Sequence, residues 1–317
     1  IVWVIGGYMT LKRGGKNYKG LCPFHGEKSP SFMVSPELQM YKCFGCGESG
    51  DVISFVEKIE GIEFVEALTM LADRVGVKLQ FKGGEERSEK DKLIEIHEWA
   101  ANYYHYLLTK HKVGKAAAEY LAGRKVSKKL ITEFRLGYSL AAWDGLYKYL
   151  TLKKKVEERL LQKTGLIIKG GRGGYYDRFR GRVMIPLLDV RGRVIAFAGR
   201  VMPGADKEEP KYINSPETEI YHKGEALFGL YQAKADIRKN DRVVVVEGDM
   251  DMISSFGAGV GETVAIKGTA LTEEQLLKLS RLTRNLILAL DADTAGEAAI
   301  KRGIQMAEKL EMNTKIV

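Results

Sequence analysis

The stretch CPFHGEKSPSFMVSPELQMYKCFGC, residues 22–46, contains every cysteine of the 317-residue chain. It opens with Cys22-x2-His25 and closes with Cys43-x2-Cys46, and seventeen residues separate the two pairs. A two-residue gap lets both members of a pair face one ion, and three thiolates with one imidazole are typical of a closed, structural zinc site. The sequence therefore predicts a zinc ribbon, whose ion would contribute on the order of 10 kcal/mol to folding this small unit.

Basic and aromatic side chains surround the predicted zinc ligands. Rings can stack on bases and lysines can pair with phosphates, so this mixture is typical of single-stranded nucleic-acid binding. Aromatic residues also form the cores of small ribbons, and this second interpretation is the better one for Phe24 and Phe32. Both interpretations stay open for Tyr41 and Lys42, which are the predicted DNA contacts of the ribbon.

Composition excludes several classes of protein. A net charge of +9 and a pI near 9.2 fit a polyanionic partner. An odd number of cysteines, all within the metal pattern, argues against a disulfide framework and for a reducing compartment. No apolar run approaches a membrane span and no signal peptide is visible, so we expect a cytoplasmic protein without a membrane partner. Neither Ile1 nor Val317 resembles a natural terminus, and we expect a fragment.

Short apolar strands alternate with helical patterns toward the C-terminus. VVVV at 243–246 and LILAL at 286–290 are typical of buried strands, and a helical pattern follows each of them. This alternation predicts a parallel sheet covered by helices on both faces. Functional groups in such sheets gather outside the carboxyl ends of the strands, where Glu247, Asp291 and Asp293 occur.

Carboxylates at one sheet edge concentrate negative charge, which hard divalent cations offset. Glu247, Asp291 and Asp293, with Asp251 nearby, are therefore the predicted ligands of Mg²⁺ or Mn²⁺ and the candidate catalytic residues for nucleotidyl or phosphoryl transfer. An aspartate after a strand can instead cap the following helix, and this alternative is strongest for Asp293. Asp249, in the same EGDMD segment, has no predicted role.

Several further blocks follow the zinc pattern in a fixed order. They include YKCFGCGESGDVISFV, DRFRGRVMIPLLDVRGRVIAFAGR, PKYINSPET and HKGEALFGL, and the EG and DAD segments come last. Taken together, these blocks resemble the zinc-binding domain and RNA polymerase core of bacterial DnaG-type DNA primases. The resemblance implies an α/β fold, α+β overall, in which a zinc ribbon precedes a polymerase core with an α+β subdomain and a TOPRIM-type parallel sheet.

The expected domains are a zinc-ribbon template-binding domain at 1–81, a polar linker at 82–92, the N-terminal α+β part of the polymerase core at 93–240, and the TOPRIM catalytic subdomain, incomplete at its C-terminus, at 241–317. The resemblance implies synthesis of short RNA primers on single-stranded DNA from ribonucleoside triphosphates. The implied contacts with the nucleotide phosphates are Lys211, Asn214 and Lys223. The implied template-binding ridge comprises Arg178, Arg180, Arg182 and Arg200. The alternative for each of these arginines is a solvated, charged hairpin.

The resemblance also implies a replicative helicase and a single-strand-binding protein as partners at the replication fork on the nucleoid. The family's helicase-binding domain and a further acidic motif do not occur in these 317 residues, so we expect weak or absent primer synthesis. We expect a monomer. The alternatives are a TOPRIM nuclease or topoisomerase-like enzyme and a non-catalytic zinc-ribbon nucleic-acid-binding protein.

Overall fold

The computed structural model describes residues 1–60, 62, 64–77, 79, 88–171, 173–204, 208–267, 271–290 and 303–317. The chain forms two compact units, Ile1–Gly84 and Glu85–Val317. In these described ranges, no helix combines the length and the apolarity needed to cross a bilayer.

The described residues of the first unit form a five-stranded antiparallel sheet and three helices. In chain order the elements are α1 (Val2–Gly6), β1 (Lys12–Gly14), β2 (Asn17–Gly20), β3 (Phe32–Ser35), β4 (Met40–Cys43), β5 (Ser49–Gly50), α2 (Val52–Glu60) and α3 (Phe64–Arg74). The strands pair in sequence order. The zinc ribbon predicted for the N-terminus is thus present as a small meander, and α2 follows it with Phe55, Val56 and Ile59 buried.

Aromatic rings fill the core of the first unit. Phe32 and Tyr41 stack with their ring centroids 5.1 Å apart, and the edge of Phe55 meets Tyr41 at 5.5 Å. Phe32 is fully buried, and the half-buried ring of Phe24 packs against Phe55 with the centroids 5.5 Å apart, so the interpretation of both as part of the ribbon core is confirmed. Tyr41 is only 1% exposed, which leaves it no free ring face for a DNA base and corrects its predicted role as a DNA contact.

The first part of the second unit packs a long helix against an antiparallel sheet. Its elements are α4 (Glu89–Thr109), α5 (Lys115–Gly123), α6 (Lys128–Glu133), β6 (Gly137–Ser139), α7 (Gly145–Lys148), α8 (Glu158–Lys163), β7 (Ile167–Lys169), β8 (Tyr175–Asp177), β9 (Arg182–Leu188), β10 (Val194–Val201) and β11 (Tyr212–Asn214). The sheet order is β11-β10-β9-β6, and β7 pairs only with β8 among the described strands. β9 and β10 form an antiparallel hairpin, and Gly192 in its turn has φ +85°.

The start of α4 shows where the predicted linker ends. The Ser88 hydroxyl accepts the backbone N–H of Asp91 at 3.2 Å, which satisfies a donor at the helix N-terminus. Residues 89–92, which the sequence placed in the linker, therefore form the first turn of α4. The preceding linker residues, 82–87, lie outside the described residues.

The last part of the second unit is a parallel sheet with helices. Its described residues include α9 (Leu230–Asn240), β12 (Val243–Val246), α10 (Asp249–Gly257), β13 (Thr263–Ala265), α11 (Glu273–Ser280), β14 (Asn285–Leu288) and β15 (Asn313–Ile316). The order β13-β12-β14-β15 has only parallel pairings, which confirms the predicted sheet. A capping box formed by Thr272 and Gln275 begins α11. The carboxyl ends of β12 and β14 meet at one edge, where the acidic residues were predicted.

Candidate functional site

Three cysteines and one histidine converge in the first unit. The ligand atoms of Cys22, His25, Cys43 and Cys46 all lie within 4.8 Å of one another. Two of the contacts between the pairs are Cys22 Sγ to Cys46 Sγ at 3.9 Å and Cys43 Sγ to His25 Nδ1 at 3.7 Å. A Cβ at Gly45 would lie 2.6 Å from His25 Nε2, so the second knuckle requires glycine there. Three thiols and one imidazole at these separations fit a tetrahedral zinc ion.

The surroundings of Cys43 favour its metal-binding form. Burial raises the pKa of this thiol, but the Ser31 hydroxyl at 3.1 Å and the backbone N–H groups of Gly45 and Cys46 lower it to about 7. Hydrogen bonds to a thiolate favour the charged state over the thiol. Because the thiolate is the form that ligates metals, Cys43 is prepared for a cation near neutral pH, whereas burial raises the pKa of the Cys22 thiol to about 12.

An exposed lysine and an exposed phenylalanine lie at the outer face and the end of β4, on either side of the buried Cys43. Lys42 is exposed, and its Nζ lies 5.4 Å from the ring centroid of Phe44, which is 69% exposed. The sequence contained the signal for this arrangement, because Cys43 must face the ion and alternate residues of a strand share a face. Tyr41 therefore points inward with Cys43, whereas Lys42 and the following Phe44 are exposed to solvent.

The acidic edge of the parallel sheet is partly within the described residues. Glu247 follows β12 and is half-buried, and Asp251 is exposed in the first turn of α10. A Cβ at position 248 would lie 2.5 Å from Asp251 Oδ2, so Gly248 lets this carboxylate approach the backbone. The predicted ligands Asp291 and Asp293 lie outside the described residues.

Asp249 forms a buried ion pair with Lys267. The lysine Nζ donates to both carboxylate oxygens at 2.9 Å, and each side chain is only 5% exposed. Lys267 has φ +60°, and its backbone N–H donates to the carbonyl oxygen of Glu247 at 2.9 Å. The pair thus ties the segment after β13 to the segment that carries Glu247, and the charge of Asp249 is compensated within the protein. The sequence had shown no sign of this role, because eighteen residues separate the partners.

The three residues predicted to meet nucleotide phosphates are Lys211, Asn214 and Lys223. The first is exposed directly before β11, the second ends β11, and the third lies in a turn after Tyr221. Tyr212 and Tyr221 share one hydrophobic core with Val246 and Met250, from the end of β12 and the start of α10. The segments that carry the three residues are therefore anchored against the acidic sheet edge.

Two of the four predicted ridge arginines are buried. The Arg182 side chain is 3% exposed and donates to Glu209 at 2.9 Å. Arg200 lies between the rings of Tyr120 and Tyr212, at 5.9 and 5.1 Å, and donates to both phenolic oxygens. These contacts correct the prediction for both residues, because their donors serve the core of the second unit instead of a template.

Arg180 belongs to a partly exposed cluster that we call the aromatic–arginine platform, formed by Trp143, Tyr176 and Arg180. The two rings stack at 4.6 Å, and the guanidinium carbon lies 4.7 Å from the Trp143 ring and 5.2 Å from the Tyr176 ring. Trp143 is 61% exposed. Arg178 is half-buried and donates to the carbonyl oxygen of Gly165 at 2.6 Å. The prediction included Arg180 of the platform but neither of the two aromatic residues. Trp143, in the WDGL segment, was the available sequence signal for them.

The Cys/His cluster of the first unit and the parallel sheet of the second have the architecture of a zinc ribbon and a TOPRIM-type domain. Three family models match the chain in order: CHC2 zinc finger at residues 1–87, DNA primase catalytic core, N-terminal domain, at 103–234, and Toprim-like at 244–317. The match to the zinc finger agrees with zinc as the ion of the Cys/His cluster. The chain belongs to the family of bacterial DnaG-type DNA primases.

Individual relatives agree with this assignment. The DNA primase of Halalkalibacterium halodurans is 42% identical over 320 residues, which span 100% of this chain and 53% of that protein. The crystal structure of the zinc-binding and RNA polymerase domains of Aquifex aeolicus primase is 37% identical, with a TM-score of 0.66. The match covers 100% of this chain and 76% of that one. A DnaG primase catalytic domain bound to single-stranded DNA is 33% identical, with a TM-score of 0.65, across 72% of this chain and 71% of that one. The chain spans about half the length of the curated relatives it matches.

Proposed function

We propose that this chain is the template-binding and catalytic part of a DNA primase, a nucleotidyltransferase that synthesises short RNA primers on single-stranded DNA. The observation that carries the proposal is the union, in one chain, of the Cys/His cluster with a parallel sheet whose carboxyl edge bears Glu247 and Asp251. The family order of the three matched segments supports the same proposal.

The proposed metal site of the sheet edge consists of Glu247 and Asp251 together with Asp291 and Asp293. Carboxylate oxygens are the donors that Mg²⁺ and Mn²⁺ prefer, so this residue set fits the ion. A bound divalent cation would supply charge neutralisation at the nucleotide phosphates. The chain's own contribution is to hold Glu247 in place, through β12 and through the backbone hydrogen bond from Lys267.

The proposed reaction joins a primer 3′-hydroxyl to the α-phosphate of a ribonucleoside triphosphate. A new P–O bond forms as the bond to pyrophosphate breaks, and the hydroxyl proton passes to solvent. The ammonium groups of Lys211 and Lys223 would attract the triphosphate, and the amide of Asn214 can donate to a phosphate oxygen. Because β11 is anchored in the core that also holds Met250, the bound phosphates would be directed toward the acidic edge.

Each unit has its own proposed template-binding residues. In the second unit, the aromatic–arginine platform offers an exposed ring to a base and a cation to the phosphate backbone; in the first, Phe44 and Lys42 offer the same pair. The relative solved with bound single-stranded DNA supports a template of this kind. Helicase and single-strand-binding protein are proposed as partners of the whole protein in the bacterial cytoplasm, on the family assignment alone.

The test is incorporation of labelled ribonucleotides on a single-stranded DNA template with Mg²⁺. We expect Glu247→Gln to lower product formation by about 100-fold or more, because several kcal/mol of charge stabilisation depend on the ion. Template affinity should stay within about twofold, since the carboxylate does not bind DNA phosphates. Glu274→Gln, at an exposed position of α11, is the matched control and should keep both properties.

Three results would contradict the proposal or replace it. Degradation of the DNA without ribonucleotides would identify a nuclease. DNA binding without metal-dependent nucleotide binding would identify a non-catalytic binding protein. If the 317 residues give no product, the same pair of variants is tested in a chain extended beyond Val317; inactivity there as well would refute primer synthesis.

A further inference from the structure

A carboxylate lies directly behind the Cys/His cluster of the first unit. The side chain of Glu27 is 10% exposed, and its Oε1 accepts the backbone N–H of Cys22 at 2.7 Å and that of Ser31 at 3.1 Å. Its other oxygen, Oε2, lies 3.4 Å from Nε2 of His25. One side chain thus connects both sides of the ligand loop with the imidazole that the loop carries.

The two nitrogens of the His25 ring face different surroundings. Nδ1 lies 3.7 Å from Cys43 Sγ, on the side of the cluster, whereas Nε2 faces Glu27. A neutral imidazole carries its proton on one nitrogen and offers the lone pair of the other to a metal. An acceptor beside Nε2 favours the proton at that nitrogen and leaves the Nδ1 lone pair for the ion.

We propose that Glu27 is a positioning residue of the zinc site, which holds His25 with Nε2 protonated and Nδ1 facing the ion while it fixes the loop from Cys22 to Ser31. The inference needs no primer synthesis and rests only on zinc as the ion of this cluster. Glu27 contacts Nε2 of His25 and the backbone N–H of Cys22, and neither of these atoms faces the ion. It therefore acts on the ion by orienting the two ligands. Outer partners of this kind typically change metal affinity by about 10–100-fold.

The two roles of Glu27 can be separated by substitution. In Glu27→Gln, the amide oxygen can still accept the N–H groups of Cys22 and Ser31, but the other end becomes an NH₂ donor facing Nε2. Two donors then oppose each other, and the imidazole is driven toward the tautomer whose Nδ1 is protonated. Glu27→Ala removes both functions. Glu37→Gln, at an exposed position of the turn between β3 and β4, is the matched control.

The experiment measures zinc affinity of the full 317-residue chain by competition with a colorimetric chelator. We expect Glu27→Gln to weaken zinc binding by about 10–100-fold, while Glu37→Gln stays within about twofold of the unsubstituted chain. Two further readouts distinguish positioning from loss of structure. The far-UV circular dichroism of the zinc-loaded Glu27→Gln protein should be unchanged, and its cobalt-substituted form should show altered d–d absorption bands.

Long-range ¹H–¹⁵N correlations of the zinc-loaded chain identify the protonated nitrogen of His25 directly. Protonation at Nε2 is the expected result. The proposal is overturned by metal-bound Nε2, or by a Glu27→Gln affinity within twofold of the unsubstituted chain. Failure of the unsubstituted chain to bind zinc overturns it together with the zinc assignment, whatever the outcome of the primer-synthesis assay. If Glu27→Ala does not fold, Glu27→Gln alone decides.

Discussion

The buried ion pair of Asp249 and Lys267 allows a quantitative test of how the acidic sheet edge is held. Lys267→Met removes the ammonium group but keeps most of the apolar length, and it leaves a carboxylate that is only 5% exposed without its partner. Breaking one side of a buried pair typically costs about 3–5 kcal/mol. Proton uptake limits this cost, because protonating an ordinary aspartate at pH 7 costs about 4 kcal/mol. We therefore expect the free energy of unfolding to fall by about 3–4 kcal/mol.

The assay is urea unfolding of the second unit, monitored by tryptophan fluorescence. Trp3 is replaced by phenylalanine, so that Trp99 and Trp143 report on the second unit alone. Asp249→Asn is measured singly and together with Lys267→Met, which completes a double-mutant cycle. The paired change removes both charges, and we expect it to restore most of the stability that the lysine substitution loses.

An exposed ion pair in the same unit provides the control. Lys278 and Glu225 are 3.1 Å apart, with side chains 33% and 50% exposed. Lys278→Met should cost less than about 1 kcal/mol, since water screens such pairs. If Lys267→Met costs no more than Lys278→Met, or if the paired change is as harmful as the single one, the reasoning about the buried pair is refuted.

Three further predictions concern other parts of the molecule. Burial lowers the pKa of His97 from 6.5 to about 4, so the neutral imidazole is the form that the folded state favours. The free energy of unfolding should be unaffected by His97 above pH 6.5 and should fall by up to about 3 kcal/mol as the pH is lowered toward 4. Urea unfolding at pH 7 and pH 5 measures this loss, which should be absent in His97→Met. Trp143→Ala should weaken single-stranded DNA binding by about 1–3 kcal/mol in fluorescence anisotropy, whereas Trp143→Phe retains most of the affinity. Cys46→Ser should release the zinc ion more readily and lower the melting temperature of the first unit, as followed by circular dichroism in a chelator titration.

Local patterns explain why part of the structure was predictable. The Cys/His spacing, the capping box of α11 and the alternation of strands and helices each depend on residues close together in the chain, and the structure contains all three. The zinc ligands could be predicted from two short motifs, each with a two-residue spacing. The parallel sheet needed only apolar runs of strand length, each followed by a helical pattern.

The features that escaped prediction depend on partners far apart in sequence. Whether Arg200 faces solvent is decided by Tyr120, eighty residues earlier, which the strand pattern around the arginine does not reveal. The role of Asp249 is likewise decided by Lys267. Tyr41 is a different case, because the inward direction of Cys43 already implied that its strand neighbour two residues away is buried. The predicted ligands Asp291 and Asp293 lie beyond the described residues and stay predictions.

The pairing of Asp249 with Lys267 also constrains how this protein can have diverged from its relatives. A single substitution at either position leaves one buried charge without its partner, whereas simultaneous loss of both charges leaves a neutral contact. An ancestor that passed through the single-charge state would have carried a less stable second unit. The two positions are therefore expected to change together, so that other members of the family carry either both charges or two uncharged side chains.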